Sequence, residues 1–523
     1  MLMPATLFTK IVGLLYKIPL IAIVGVEGMA YFLAAYHVYS LLFVLSATGL
    51  PTALSLQVAR VAWGDQRGSV GRIFRVALAL FLSLGLLGTV SLLWGAPALA
   101  TRLAMRDAAA SIVAIAPALL LSAFIGAAKG FFQGHSQMLP TAVSEVIEAA
   151  GKLGFGLFFA VFAKRAGLAV PQVAAYAIFG ITAGLAVAAV VLLVWLLAWS
   201  VKHRNGGADD SLPPRRRVLG ALVREALPIT VSASVMSIVS LIDTALISSR
   251  LQAAGFAASA AHALYSAYGN LAIPLYNLVP SLLSPVTLAL MPLLGAAFTK
   301  GDREGESAAL GSAFRLSLLI ALPAALGLAV FARPILALIY RSAGDAVAVA
   351  APALSLLAPA VIPAVLLSVT GAALQATGHT LLPVLAMGAG ALVKLGTELL
   401  LLPVAGIHIY AAPISTLACN LVVLVIEAVA LSRVLHDRAI GVRECVRPFL
   451  AAALSVGASA ALYLLLAARV GERIWQMPLS LLVAAVLYLL LALLLRAVGR
   501  EELESLPAGD RLCRLLARCK LLK

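Results

Sequence analysis

The chain has 523 residues; 63% belong to the set A, V, I, L, M, F, W, Y and C, and only 11% carry charge. Soluble globular chains average roughly 25% charged residues, so this composition excludes a string of water-exposed domains, and the main solvent of the chain is lipid. The net charge of +16 would suit nucleic acid, but no basic stripe interleaved with aromatics accompanies it. The cations gather instead at the ends of apolar runs, as in proteins that orient themselves in a bilayer.

A membrane-crossing helix needs about 20 mainly apolar residues, and that length predicts an all-α integral membrane protein of about fourteen spans. Helix one, about 5–25, carries Lys10 and Lys17 two turns apart on one face with no acid in the helix. Lys17 interrupts the apolar stretch and no small-residue cleavage pattern follows before Glu27, so this segment is expected to stay as a span rather than act as a signal peptide. Helix two, about 30–51, holds Tyr36, His37 and Tyr39; helix three covers about 73–97; helix four, about 110–133, contains Lys129. Helix five, about 139–163, has Glu145, Glu148 and Lys152, and helix six follows at about 170–200.

The polar, basic stretch 202–217 is the one lengthy linker, separating an N-terminal lobe (1–201) from a C-terminal lobe (218–435). That second lobe begins with helix seven, about 219–248, with Arg224, Glu225 and Asp243, and the proline-rich helix eight, about 262–295. Helices nine to twelve are expected near 309–332 (with Arg315), 346–375, 383–404 (with Lys394 and Glu398) and 409–432 (with Glu427). Helices thirteen and fourteen, about 448–468 and 475–495, lie within 436–496 and precede a basic tail, 497–523. Lys and Arg concentrate in the loops after even-numbered helices and in the tail, which predicts both termini in the cytoplasm. The four cysteines, Cys419, Cys445, Cys513 and Cys519, have neither zinc-site nor disulfide spacing.

An internal repeat runs through this order. GAAKGFFQGH at 126–135 is echoed by GAALQATGH at 371–379, each followed by a proline and then by Lys152-Leu153-Gly154 or Lys394-Leu395-Gly396. AAYHVYS, ending at Ser40, is echoed by AAHALYS, ending at Ser266. Both echoes are offset by six helices. Six is even, so the two lobes would share one orientation and be related by a pseudo-two-fold axis along the membrane normal, with helices thirteen and fourteen added outside the repeat.

Charges at mid-span decide where function is sought. An ion near the bilayer centre costs about 2.5–3.5 kcal/mol on insertion scales, so Lys17, Lys152 and Lys394 are expected to face water, a partner or a charged ligand. Two readings are open. Glu148 and Lys152, and Lys394 and Glu398, are four residues apart and could neutralise one another on their own helices. Alternatively, the excess of lysine over acid in helices one to five leaves a cationic face for an anion such as a pyrophosphate, with Lys10, Lys17, Lys129, Lys152 and Lys394 as contacts and Asp243, Glu145, Glu148 and Glu398 as ion-coupling or gating groups. For Asp243, pairing with Arg250 competes with an ion site. His37 and His262 fall at near-equivalent repeat positions, where packing is the first explanation and titration the second. Tyr36, Tyr39, Tyr265, Tyr268 and Tyr276 divide between core packing and the lining of a sugar or lipid path.

No phosphate-binding glycine loop, metalloprotease motif or nucleophile elbow occurs. The expectation is therefore a transporter without catalytic residues, metal or cofactor.

KIVGLLYKIPL, AAYHVYSLLFVLSATGLPTALS, KGFFQGHSQMLPTAVSEVIE, LPITVSASVMSIVSLIDTALISSRL and LLPVAGIHIYAAPISTLACNLV resemble the stage V sporulation protein B and polysaccharide-transport branch of the multidrug/oligosaccharidyl-lipid/polysaccharide (MOP) exporter superfamily, which is related to the lipid II flippases. The resemblance spans residues 5 to about 495. It implies a cell-membrane flippase that moves a polyprenyl-pyrophosphate-linked saccharide, a peptidoglycan or other envelope precursor, by alternating access. Membrane lipids, and envelope-synthesis proteins in a looser sense, would be its partners. Lys17 matches a basic place in the Tyr-basic-Ile-Pro stretch and Lys152 falls within one residue of one in helix five, while His37, Leu56 and Arg60 depart from the family pattern. A cation-coupled multidrug exporter of the same superfamily and a non-transporting scaffold for envelope synthesis are the alternatives.

Overall fold

The computed structural model describes residues 2–47, 49–62, 70–202, 214–435, 442–471 and 473–495. Most of the predicted linker and all of the predicted basic tail lie outside these. Among the described residues every regular element is helical. A chain in lipid must satisfy its backbone within each segment, and the Ala-, Leu- and Val-rich runs do so as long helices. Contacts divide the chain into two compact units, 1–266 and 267–523.

The first unit contains α1 (Leu2–Ala47), α2 (Gly49–Ala62), α3 (Val70–Arg102), α4 (Ala109–Ile115), α5 (Pro117–Gly134), α6 (Leu139–Arg165), α7 (Val170–Lys202), α8 (Arg215–Ala253) and α9 (Ala258–Ser266). The bend in α1 falls at Gly25, whose φ of 80° and ψ of 164° leave the helical region at no Cβ penalty. Predicted helices one and two thus meet within one long element.

At the centre of this unit, α5 is buried along most of its length by small residues, including Ala123, Gly126, Ala127, Ala128, Gly130 and Gly134. A Cβ at Gly130 would stand 2.6 Å from the carbonyl oxygen of Pro51, so α5 and α2 meet backbone to backbone, the close approach that small residues permit between membrane helices. The seam between α6 and α7 is of the same kind: a Cβ on Gly151 would lie 2.6 Å from Cα of Gly184, and one on Gly184 would lie 2.8 Å from the backbone nitrogen of Lys152. That seam sets the height of Lys152.

The second unit contains α10 (Ile273–Leu282), α11 (Ser284–Lys300), α12 (Arg303–Val330), α13 (Ala332–Ile339), α14 (Ala346–Leu357), α15 (Val361–Ala376), α16 (Leu381–Leu401), α17 (Ala411–Leu435), α18 (Val442–Val470) and α19 (Gln476–Leu494). Between α11 and α12, Gly301 takes a left-handed conformation (φ 67°) and the Asp302 carboxylate accepts the Gly305 N–H at 3.0 Å, a C-terminal stop followed at once by an N-cap. Leu290, Leu294, Phe314, Val369, Leu374 and Leu431 form one core cluster. Another joins Phe331, Val456 and Met477, tying the end of α12 to α18 and α19, and Tyr488 adds a hydrogen bond of 2.7 Å to the carbonyl of Leu319.

Among the described residues, twelve helices are long and apolar enough to cross a membrane, against the fourteen expected. Two differences account for this. Predicted helices one and two count as a single stretch because the chain stays helical on both sides of Gly25. Predicted helix eight is broken: Ala267–Ala272 widens into a π-turn ahead of Pro274, and α9, α10 and α11 are each too short to count. Proline lacks the N–H that would continue the ladder and crowds the preceding turn. The packing division at Ser266 and Ala267 places α8 and α9 in the first unit, where α8 packs on α1, α2 and α3.

Candidate functional site

The site sits wholly in the first unit. Tyr16 and Lys17 come from α1, Tyr36 and Tyr39 from beyond its bend, and Glu145, Glu148 and Lys152 from successive turns of α6. Gly13, Tyr16, Tyr36, Tyr39, Ser40, Phe43, Glu145, Glu148, Lys152 and their neighbours enclose a cavity of about 410 Å³. Tyr16 is held by its contact with Gly156 of α6 and a hydrogen bond of 3.4 Å to the carbonyl of Ala177. Tyr39 shares a hydrogen bond of 2.8 Å with Ser122.

Charge is distributed across helices rather than along them. Lys129 of α5 donates to Glu148 at 2.8 Å, so the acid four residues before Lys152 is engaged by a lysine from another helix. The Lys152 ammonium instead lies 5.0 Å from the ring centre of Tyr36 and 5.9 Å from that of Tyr16. Such cation–π contacts stabilise an ammonium by about 0.5–2 kcal/mol, and an ammonium facing a ring keeps N–H donors for an anion. Lys17 is partly buried and close enough to Lys152 for the two charges to interact, and Glu145 lies within reach of Lys129 and Glu148. Three cations thus gather around two carboxylates. The arrangement can hold an anion at the lysines and stack a ring or sugar face on the tyrosines.

The other expected residues fall elsewhere. Lys10 is in α1, but its side chain lies outside the described residues. Lys394 and Glu398 belong to the second unit, buried at 8% and 0% exposure and 3.8 Å apart, with Ser415 donating to Glu398 at 2.8 Å. This is the same-helix pairing that spacing allows. Asp243 is partly exposed on α8. Glu427 is buried and accepts a hydrogen bond from Thr370.

His37 is placed by Thr244, whose hydroxyl proton goes to the carbonyl of Ser240 at 2.8 Å. Its oxygen therefore accepts from His37 Nδ1 at 2.7 Å and Tyr265 at 2.8 Å, a linkage of α1, α8 and α9. His262 meets the carbonyl of Ala104 at 2.9 Å, as does Gln252. Both histidines are structural ties here. The residue that sequence reading missed is Tyr16; its signal was the aromatic position directly before Lys17. Arg60, one of the departures from the family pattern, pairs with Glu225 at 2.6 Å, joining α2 to α8. Among the described residues, no group of three His, Cys, Asp or Glu is placed to hold a metal ion.

Among the described residues the chain is all-helical, with many helices long and apolar enough to cross a membrane, and this fold is shared with solved transporters of the MOP superfamily. The inward-facing form of a multidrug resistance MATE family transporter superposes with a TM-score of 0.68 at 18% identity, covering 82% of this chain and 96% of that one. The inward closed conformation of lipid II flippase MurJ gives 0.67 at 15% identity, covering 94% and 97%. The family described as polysaccharide biosynthesis protein matches residues 1–298, more than half of the chain, and the MatE family matches 228–399. The chain belongs to the polysaccharide biosynthesis protein family. Among relatives, stage V sporulation protein B of Bacillus subtilis (strain 168) is 24% identical over 513 residues, 98% of this chain and 97% of that protein. Lipid II flippase MurJ of the same strain is 25% identical over 412 residues, 75% and 74%.

Proposed function

We propose that this chain is a flippase for a polyprenyl-pyrophosphate-linked saccharide, lipid II or a related envelope precursor, carried across the cell membrane by alternating access with both termini in the cytoplasm. The observation that carries this reading is the Lys152 ammonium, held over two tyrosine rings beside a cavity of about 410 Å³. Lys129 relieves it of its helical neighbour Glu148. A diphosphate needs clustered cations, and a saccharide needs flat aromatic faces with hydrogen-bonding rims; Lys17, Lys152, Tyr16 and Tyr36 supply both. Lys17 and Lys152 are the substrate contacts in this reading, Lys129 the group that engages Glu148 in place of Lys152, and Glu145 and Glu148 the gating acids.

The relatives' names support a lipid-linked cargo. Complementation of a strain depleted of its lipid II flippase tests the proposal. The wild-type chain is expected to restore growth, and Lys17→Ala and Lys152→Ala, at equal membrane levels, to fail. Rescue by both variants would exclude the site. The MatE match over 228–399 favours a second reading, cation-coupled export of drugs, for which dye efflux lost in Asp243→Asn without an envelope phenotype would speak.

A further inference from the structure

A second, separate pocket lies in the other unit, at the rim where three membrane helices end. The last residue of α12 is Val330, α18 ends at Val470, and α19 begins at Gln476; the short α13 lies beside them. Arg333 of α13, Arg341 of the turn after it, and Arg473 of the α18–α19 connection surround a pocket of about 270 Å³ whose walls include Leu338, Tyr463 and Met477. All three arginines are exposed, and no carboxylate is among the described lining residues. The pocket is built rather than incidental. Phe331, Val456 and Met477 pack beneath it with Leu338 and Tyr463, and the Phe331 and Tyr463 rings meet edge to face at 6.1 Å.

We propose that this pocket binds the phosphate headgroup of an anionic membrane phospholipid. Guanidinium groups present forked donors that match phosphate oxygens two at a time, and three of them converge here from separate segments. The flanking surface points to a lipid rather than a free anion. Trp475, Leu479, Leu482, Val486 and Leu489 are all substantially exposed and recur every three or four residues. They form an apolar face running along α19 from beside Arg473 into the depth of the membrane, with Trp475 at the level where interfacial aromatics sit. A headgroup in the pocket would leave its acyl chains against that face. In the orientation proposed above, the pocket lies on the side poor in Lys and Arg, where three clustered arginines are the exception to the positive-inside pattern. It shares no residue with the cavity of the first unit.

The full-length protein in detergent micelles, titrated with phosphatidylglycerol or phosphatidylcholine and read by native mass spectrometry, tests this. The wild type is expected to retain phosphatidylglycerol over phosphatidylcholine. Each of Arg333→Gln, Arg341→Gln and Arg473→Gln is expected to weaken phosphatidylglycerol retention about five-fold, as for loss of one basic side chain at an anionic surface. The triple glutamine variant should abolish the preference, and the triple lysine variant should keep part of it. Melting temperature and gel-filtration profile report on folding, and the single variants carry the test if the triple variant does not fold. Equal retention of both lipids by the wild type, or unchanged preference in all three single variants, would overturn the proposal. So would displacement of phosphatidylglycerol by millimolar inorganic phosphate, which would mark a free-anion site.

Discussion

The two Lys-Leu-Gly triplets of the repeat, at 152–154 and 394–396, have been given opposite electrostatic company. In the first unit Lys129 occupies Glu148, and Lys152 is left over tyrosine rings at a cavity. The repeat position of Lys129 is filled in the second unit by Leu374, which is fully buried, and Lys394 pairs with its own Glu398. The acid has also changed sides, lying four residues before Lys152 but four after Lys394, where Gly390 stands at the earlier place. One additional lysine on a neighbouring helix therefore separates an ammonium set over tyrosine rings from one paired within its own helix.

The sharpest way to break this comparison is Lys394→Met, which strands the buried Glu398 carboxylate. The expected loss is about 3–5 kcal/mol of stability, with the double variant Lys394→Met/Glu398→Leu returning close to the wild type; thermal unfolding in micelles measures both. Lys152→Gln should do the reverse, leaving unfolding unchanged while lowering affinity for a pyrophosphate-linked substrate about 10- to 100-fold, the loss of one charged hydrogen-bonding partner. Gly184→Leu is expected to cost about 1–3 kcal/mol through overpacking against α6, and to reduce transport because the added side chain lies against the backbone of Lys152. Tyr36→Leu should be the mildest, weakening substrate binding about two- to five-fold by removal of one cation–π contact. A Lys394→Met chain as stable as the wild type, or a Lys152→Gln chain that unfolds early, would reverse the roles assigned to the two amines.

Apolar run length made the all-helical membrane fold legible, and the repeat was visible in short echoes. Pairing at Lys394 was legible too, because four-residue spacing places Glu398 one turn away. The state of Lys152 was not. It depends on where α5 and α6 each stand, and each is seated by glycine contacts to a third helix whose partners lie far apart in sequence: Gly130 on Pro51 of α2, and Gly151 on Gly184 of α7. Tyr16 escaped notice for the same reason: a tyrosine in an apolar helix becomes a binding surface only through what stands opposite. The breakage of helix eight was announced by Pro274, Pro280 and Pro285, but membrane helices also carry prolines unbroken, as α12 does at Pro323.

The glycine seam between α6 and α7 bears on how this protein moves. Interlocked side chains can change rotamer and let two helices slip, whereas main chains in direct contact have nothing soft between them. The two helices therefore form one stiff plank, and any stroke that carries cargo must displace Lys152, Glu148 and Glu145 together, at fixed spacing, with the flexing confined to joints such as the bend at Gly25.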